Sequence, residues 1–450
     1  MATPLNLLVI SDLHLGGGIG GPIAPSVDAL NSELVSFLRH YTVVWRDGRP
    51  WRLVINGDMV DFLAVLLRPQ GQATDPEDAT YGLGAREDAA EAKMLAVITQ
   101  HRPVFDALAG FVASGSEIAV VIGNHDAEFH FRGVQARFLQ AVAEGLPEGH
   151  PGDIHRSVIF HPWFFFEDGV AWIEHGHQYD PYCSFTDVLE PATNAREIDP
   201  NVGSALVRYV MNQLATDIGD TYADGFWAHL RFAASQGVRG GLAVLAGYLG
   251  MVRKLIDFWR HRHPEHLALR RARSRRRMIV LARRFQLPLR RLAWVRKQWR
   301  PPVVNELGRL VRAIMLDRLL VLLVAPVLLL SPFFTPWEWL PVVLILCGGL
   351  LGTGLREALR ARETPDPRAA MSAVSRRLRA ALRVPVVVFG HTHSAAAERH
   401  DARGGYFNTG TWAAHGPAKA PFTHVMIERT PTGVEARLLR WVDGESRSAE

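Results

Sequence analysis

"VVVFGHTHS", residues 386–394, carries two histidines one residue apart, directly after an apolar run. In extended backbone, residues i and i+2 point to the same side, so His391 and His393 reach one place from a strand end. Two imidazoles aimed at one point make a metal-site geometry, which needs further donors from elsewhere in the chain. Four other strand-like runs, at 5–10, 53–55, 118–122 and 170–174, end in comparable clusters: "SDLHLGG", "NGDMVDF", "GNHDAEF" and "EHGHQYD". The run at 384–389 makes five. Helical spacing at 26–40 and 87–113 separates the early runs, which is the alternation of an α/β fold with its ligands outside the strand ends. Near the end, "YFNTGTW" (406–412) and "THVMIERTPTGVEARLLRWV" (423–442) read as strands with a Pro-Thr-Gly turn.

The clusters supply Asp12, His14, Asp58, Asp61, Asn124, His125, His175, His391 and His393. Each alone is weak, since a single histidine is more often a structural residue than a ligand. Five in succession, each after a strand-like run, predict a metal site.

The set "DLH" (12–14), "GDMVD" (57–61), "GNHD" (123–126), "HGH" (175–177) and "GHTH" (390–393) resembles the motif series of the calcineurin-like metallophosphoesterase superfamily. The resemblance covers about 1–180 and 384–440. It implies a four-layer αββα sandwich, two divalent cations, and hydrolysis of a phosphoester or pyrophosphate bond. It assigns Asp12, His14 and His393 to the first cation and Asn124, His175 and His391 to the second, with Asp58 bridging. Mixed nitrogen and oxygen donors suit manganese first, then iron, zinc or cobalt, better than calcium. The resemblance also makes His125 the proton donor to the leaving oxygen, or its electrostatic stabiliser, with Asp61 holding the ring protonated. Asp61 read by itself is equally a turn residue. Either histidine of "EHGH" could ligate; the family pattern favours His175 and leaves His177 to face substrate. Asp180, His130 and His415 are further candidates for substrate contact.

The predicted organisation is a catalytic domain in two parts, 1–180 and 384–450, split by a helical insert over 181–383. Motif order and insert position resemble the branch that cleaves UDP-diacylglucosamine, but that branch has a shorter insert and an arginine where His125 stands. Within the insert, residues 253–312 hold 19 Lys/Arg and 3 Asp/Glu, a balance of +16 in a chain of net +5. Such a block predicts an anionic surface or a solvated helical face. Nucleic acid is the weaker reading, because Trp294 and Trp299 form no stacking pattern with the arginines. Next come two uncharged runs, 319–334 and 340–355, around the tip "TPWEW". Each is roughly 24 Å of helix against a hydrocarbon core of about 30 Å. This hairpin predicts membrane contact through 319–355 and the basic flank, with the catalytic domain on the cytoplasmic side. The opposing reading is a hairpin buried in a soluble cap.

The start of the chain reads as a strand rather than a secretory leader. With 48% apolar and 21% charged residues the composition is that of a folded globular chain, and its two cysteines, Cys183 and Cys347, form no CxxC pattern. That argues against a disulfide framework or a cysteine zinc site and is compatible with a reducing compartment. The expected partner is a phosphorylated small molecule or lipid. The alternatives are a membrane-tethered phosphatase or phosphodiesterase of soluble substrates, and a non-catalytic membrane scaffold.

Overall fold

The computed structural model describes residues 4–21, 27–69, 71, 75–150, 152–192, 196–213, 235, 237–261, 264–359, 366–401, 404–413, 421–431 and 433–449. Twelve strands form two mixed sheets. We number them β1 Asn6–Ile10, β2 Trp51–Asn56, β3 Glu117–Val121, β4 Val158–His161, β5 Phe164–Glu167, β6 Ala171–Glu174, β7 Val386–Phe389, β8 Ala396–Asp401, β9 Gly404–Asn408, β10 Thr423–Thr430, β11 Gly433–Val442 and β12 Glu445–Ser448. The larger sheet runs β12-β11-β10-β1-β2-β3-β4 and the smaller β5-β6-β7-β9-β8. β1 to β4 pair in parallel, and β10 closes antiparallel on β1. In the smaller sheet β7 lies parallel between β6 and β9.

Burial explains why the central strands β1, β3 and β7 are near-continuous apolar runs: both of their faces are covered. Val9, Val54 and Val121 of the larger sheet meet Ile173, Val388 and Phe407 of the smaller. On the other face, Leu8, Ile10 and Ile55 pack on helices Val27–Val43, Glu87–Gln100, Arg102–Ala113 and Arg132–Glu144. Trp172, Val387 and Phe389 pack on helices Pro264–Arg284, Leu289–Arg296 and Pro367–Leu382. Neighbours Val387 and Val388 thus serve opposite faces, each burial contributing about 1.5–3 kcal/mol.

The five expected strands form within two residues of their expected ends. The helical stretch 87–113 is two helices, broken at His101. Pro103, in the first turn of the second helix, would remove a hydrogen bond and clash if the first continued. The break puts the His101 ring to use: its Nε2 accepts from the Gly16 N–H at 3.0 Å, and Nδ1 lies 2.7 Å from Asn31 Oδ1. β4, β5, β8 and β12 had not been expected; β4, β5 and β12 are four residues each, too short for a periodic signal.

The basic segment departs most from expectation. It does not form a free cationic face throughout, because Pro264–Arg284 and Leu289–Arg296 supply the outer layer of the smaller sheet. Several of its cations meet acids from elsewhere: Arg270 with Asp199 (2.6 Å, both buried), Arg277 with Glu190 (2.8 Å), Arg296 with Asp187 (2.6 Å) and Lys254 with Glu197 (3.2 Å). Arg271, Arg273, Arg275, Arg276 and Arg283 remain exposed.

The apolar hairpin is helix Leu316–Leu330, a turn at Ser331–Phe334, and helix Leu340–Leu359. Leu316–Phe334, 19 residues of mean hydropathy 2.0, is long and apolar enough to cross a membrane, and no part of it is buried. The returning apolar run, Leu340–Arg356, is shorter. A hairpin buried in a cap is therefore not what forms: Phe333, Phe334 and Trp337 are 83–86% exposed.

Candidate metal centre

The polar clusters sit where β1, β2, β3, β6 and β7 end. The chain turns sharply there. Asp12 (φ 55°), His14 (φ 49°), Asp58 (φ 52°), His391 (φ 67°) and His393 (φ 52°) all adopt left-handed backbone. That costs roughly 1–2 kcal/mol for each non-glycine residue, so other contacts must impose it. Those contacts run between clusters: the N–H groups of Asp12, His14 and Gly390 donate to the carbonyls of Gly57 (3.1 Å), Asp58 (3.0 Å) and His175 (2.9 Å). Gly57 and Gly123 admit this packing, since a Cβ at the first would overlap the His175 ring and at the second the Asp58 carboxylate.

Two donor groups result. In the first, the ligand atoms of Asp12, His14 and His393 lie within 4.8 Å of one another. Nε2 of His14 and Nε2 of His393 are 3.1 Å apart, and Asp12 Oδ1 is 3.3 Å from the latter. Asp12 Oδ1 is buried and accepts no hydrogen bond from the described residues. A buried carboxylate oxygen without a proton donor, facing two imidazole nitrogens, is the arrangement a cation would satisfy. The second group is Asp58, His175 and His391. His175 Nε2 lies 3.1 Å from Asp58 Oδ2 and 3.2 Å from Asn124 Oδ1. The groups adjoin, as the His391 N–H donates to Asp12 Oδ2 at 3.1 Å.

Three of the four rings are held by their other nitrogen. His175 Nδ1 donates to the Asn56 carbonyl (2.8 Å), His14 Nδ1 pairs with Asp61 Oδ2 (3.0 Å) and His391 Nε2 with Asp180 Oδ2 (3.1 Å). Such partners fix ring orientation and tautomer, leaving Nε2, Nε2 and Nδ1 respectively for a cation.

Asp61 meets the His125 ring as expected, its Oδ1 lying 3.0 Å from Nδ1, and the contact of its other oxygen with His14 is the addition that was not expected. The His125 N–H donates to Asp58 Oδ1 at 2.8 Å, and its side chain keeps 21% exposure. Burial works against a charge on this ring, but Asp61 and Asp58 outweigh it and lift it to about 10. His175 is raised to about 9 against burial by Asp58 and Asp12. Burial would raise the Asp58 carboxyl, yet His175 and His125 hold it well below the usual range. Asp126 behaves oppositely: burial and then Asp58 raise it to about 7, although it accepts from the N–H groups of Gly123 (2.6 Å) and Met59 (2.8 Å).

All seven expected ligands, with Asp61 and His125, are therefore brought to one place. His177 departs from expectation. It is buried, neither ring nitrogen has a hydrogen-bond partner, and Phe185 packs edge-on against it at 5.7 Å, so it does not open to solvent as a substrate contact. Asp180 is engaged by His391 rather than left for a substrate. His130 ends the turn Ala127–His130, half-buried and held neutral by burial. His415 lies outside the described residues. Sequence reasoning missed Asn56, Asp126 and Cys183, whose sulfur joins Asp180 and His391 within 4.8 Å. The fourth residue of "GNHD" was the available signal for Asp126; a cysteine outside any motif gave none. Beside Asn124 opens a narrow cleft whose lining combines apolar Leu63, Leu83, Phe185 and Tyr209 with charged Lys93, Glu128, Asp199 and Arg208. No family model matches this chain, and no curated protein is similar to it.

Proposed function

We propose that the chain is a metal-dependent phosphoric ester hydrolase of the calcineurin-like metallophosphoesterase type, a four-layer sandwich holding two divalent cations. The observation that carries this reading is the convergence of Asp12, His14, Asp58, Asn124, His175, His391 and His393 into two adjoining donor groups, five of them on left-handed backbone. Asp12, His14 and His393 would hold one cation, Asn124, His175 and His391 the other, and Asp58 would bridge them. Manganese is the first candidate, with iron, zinc or cobalt as the others. Bound cations would neutralise a phosphoryl group and activate water near neutral pH. The chain's own part is orientation and proton supply. Asn56, Asp61 and Asp180 aim the rings. His125, charged and steadied by Asp61, donates a proton from Nε2 to the departing oxygen.

Two features favour a lipid-linked or membrane-presented phosphoester or pyrophosphate. The exposed hairpin, with arginines at its base, suits a bilayer facing the cytoplasmic side, and the apolar part of the cleft beside Asn124, Leu63, Leu83 and Phe185, suits an apolar leaving part. Purified protein would be analysed for metals, then assayed with phosphomonoesters, diesters and pyrophosphates before and after chelation. Protein that binds no transition metal and hydrolyses none of these defeats the proposal. Turnover of soluble esters alone favours a membrane-tethered phosphatase. An Asn124→Ala protein that still performs its cellular job favours a non-catalytic scaffold.

A further inference from the structure

Helix Gly237–Arg260 carries a second exposed apolar surface, separate from the hairpin. Its docked side, Met251, Val252 and Leu255, packs with Tyr209, Val304 and Ile314. On its outward side Val238, Leu242, Leu245 and Leu249, spaced four, three and four residues apart, are 82%, 61%, 44% and 53% exposed. That spacing is one helical stripe. An apolar row left open on a helix whose other side is already packed marks an interaction surface.

We propose that this stripe lies in the plane of a bilayer containing anionic lipid, as an interfacial contact beside the hairpin. The inference rests on the reading that the hairpin enters the bilayer. Position supports it, because Val244 and Tyr248 pack in the same cluster as Leu316, the first residue of the leading hairpin helix. The Tyr248 hydroxyl donates to the Ile314 carbonyl at 2.7 Å, fixing the helix at the hairpin base. Charge supports it too. Residues 237–256 contain no Asp or Glu, and Arg239 is exposed at the rim, while Arg253, also exposed, pairs with Glu77. Leucines on one side with an arginine at the edge suit an interfacial helix, the cation reaching phosphate headgroups as the leucines enter the acyl boundary. With no acid in residues 237–256, a two-fold pair of these helices would offer Arg239 no counter-charge from the facing helix, so a second copy suits the surface less well.

Nitroxide reporters on the full chain test this. Single cysteines are placed at Leu242, at Phe333 on the hairpin tip and at Val43, which is 79% exposed at the end of helix Val27–Val43. The background is Cys183→Ser, Cys347→Ser, checked by circular dichroism, and the protein is reconstituted in phosphatidylcholine–phosphatidylglycerol vesicles. Collisions with oxygen, which concentrates in bilayers, are compared with collisions with a water-soluble nickel chelate. Labels at Leu242 and Phe333 should prefer oxygen by several-fold, and the label at Val43 the chelate. Chelate preference at Leu242 while Phe333 prefers oxygen overturns the stripe and leaves the hairpin reading standing. Chelate preference at both overturns the hairpin reading itself. Low collision with both reagents at Leu242 means that protein covers the stripe, which also overturns the proposal.

Discussion

At the strand ends, Asp12, Asp58 and His175 are at most 1% exposed; on the hairpin, Phe333, Phe334 and Trp337 are more than four-fifths exposed. The two regions invert the ordinary distribution of residues in opposite senses. Buried charges are tolerated only with partners, and the strand ends supply them as pairs of carboxylate and imidazole around Asp12 Oδ1. Exposed apolar surface is tolerated when something apolar covers it, and among the described residues nothing covers the hairpin tip. One inversion is thus resolved mostly inside the chain and the other only outside it. The first should respond to metals and protons, the second to lipid.

The largest expected effect is at the carboxylate shared by both donor groups in our reading. Asp58→Asn should abolish retention of transition metal through gel filtration, measured by elemental analysis, and hydrolysis with it. Full metal content in this variant would break the contrast at its buried end. Asp180→Asn, which frees the His391 ring, should weaken metal affinity about 10–100-fold, read by competition with a chromophoric chelator. An unchanged affinity would show that His391 needs no such holder.

A pH effect of intermediate size comes from buried histidines away from the centre. Burial lowers His101 from 6.5 to about 4. Below pH 6.5 the unfolded chain takes up a proton that the folded ring refuses. Stability present above 6.5 is therefore lost progressively as pH falls toward 4, by about 3 kcal/mol for this group. His161 and His424, lowered to about 3 by burial, add to the same slope. Denaturant titrations from pH 7 to 4 should show the decline, and His101→Gln should reduce it. An identical slope in that variant would assign the acid sensitivity elsewhere.

The smallest effect on the fold should come from the hairpin. Phe333→Asp with Trp337→Asp should change stability in detergent by less than about 0.5 kcal/mol, since neither side chain is packed. Deleting 313–362 should nonetheless move the protein from the membrane to the soluble fraction of expressing cells. Equal distribution of the deleted and full chains would remove the lipid half of the contrast.

The sequence by itself determined what depends on neighbours along the chain. Apolar runs ending in Asp12, Asp58, Asn124, His175 and His391 announced strands and donors, because strand periodicity and motif spacing are local. The uncharged stretches at 319–334 and 340–355 announced the hairpin for the same reason. Only the tertiary structure decided which partner each group meets. It covered the smaller sheet with the arginine-rich helices, gave Asp61 two rings to hold, turned Asp180 toward His391 and shut His177 behind Phe185. Those outcomes depend on contacts between residues up to a few hundred positions apart, where burial and hydrogen-bond satisfaction are settled jointly and no short pattern records the result.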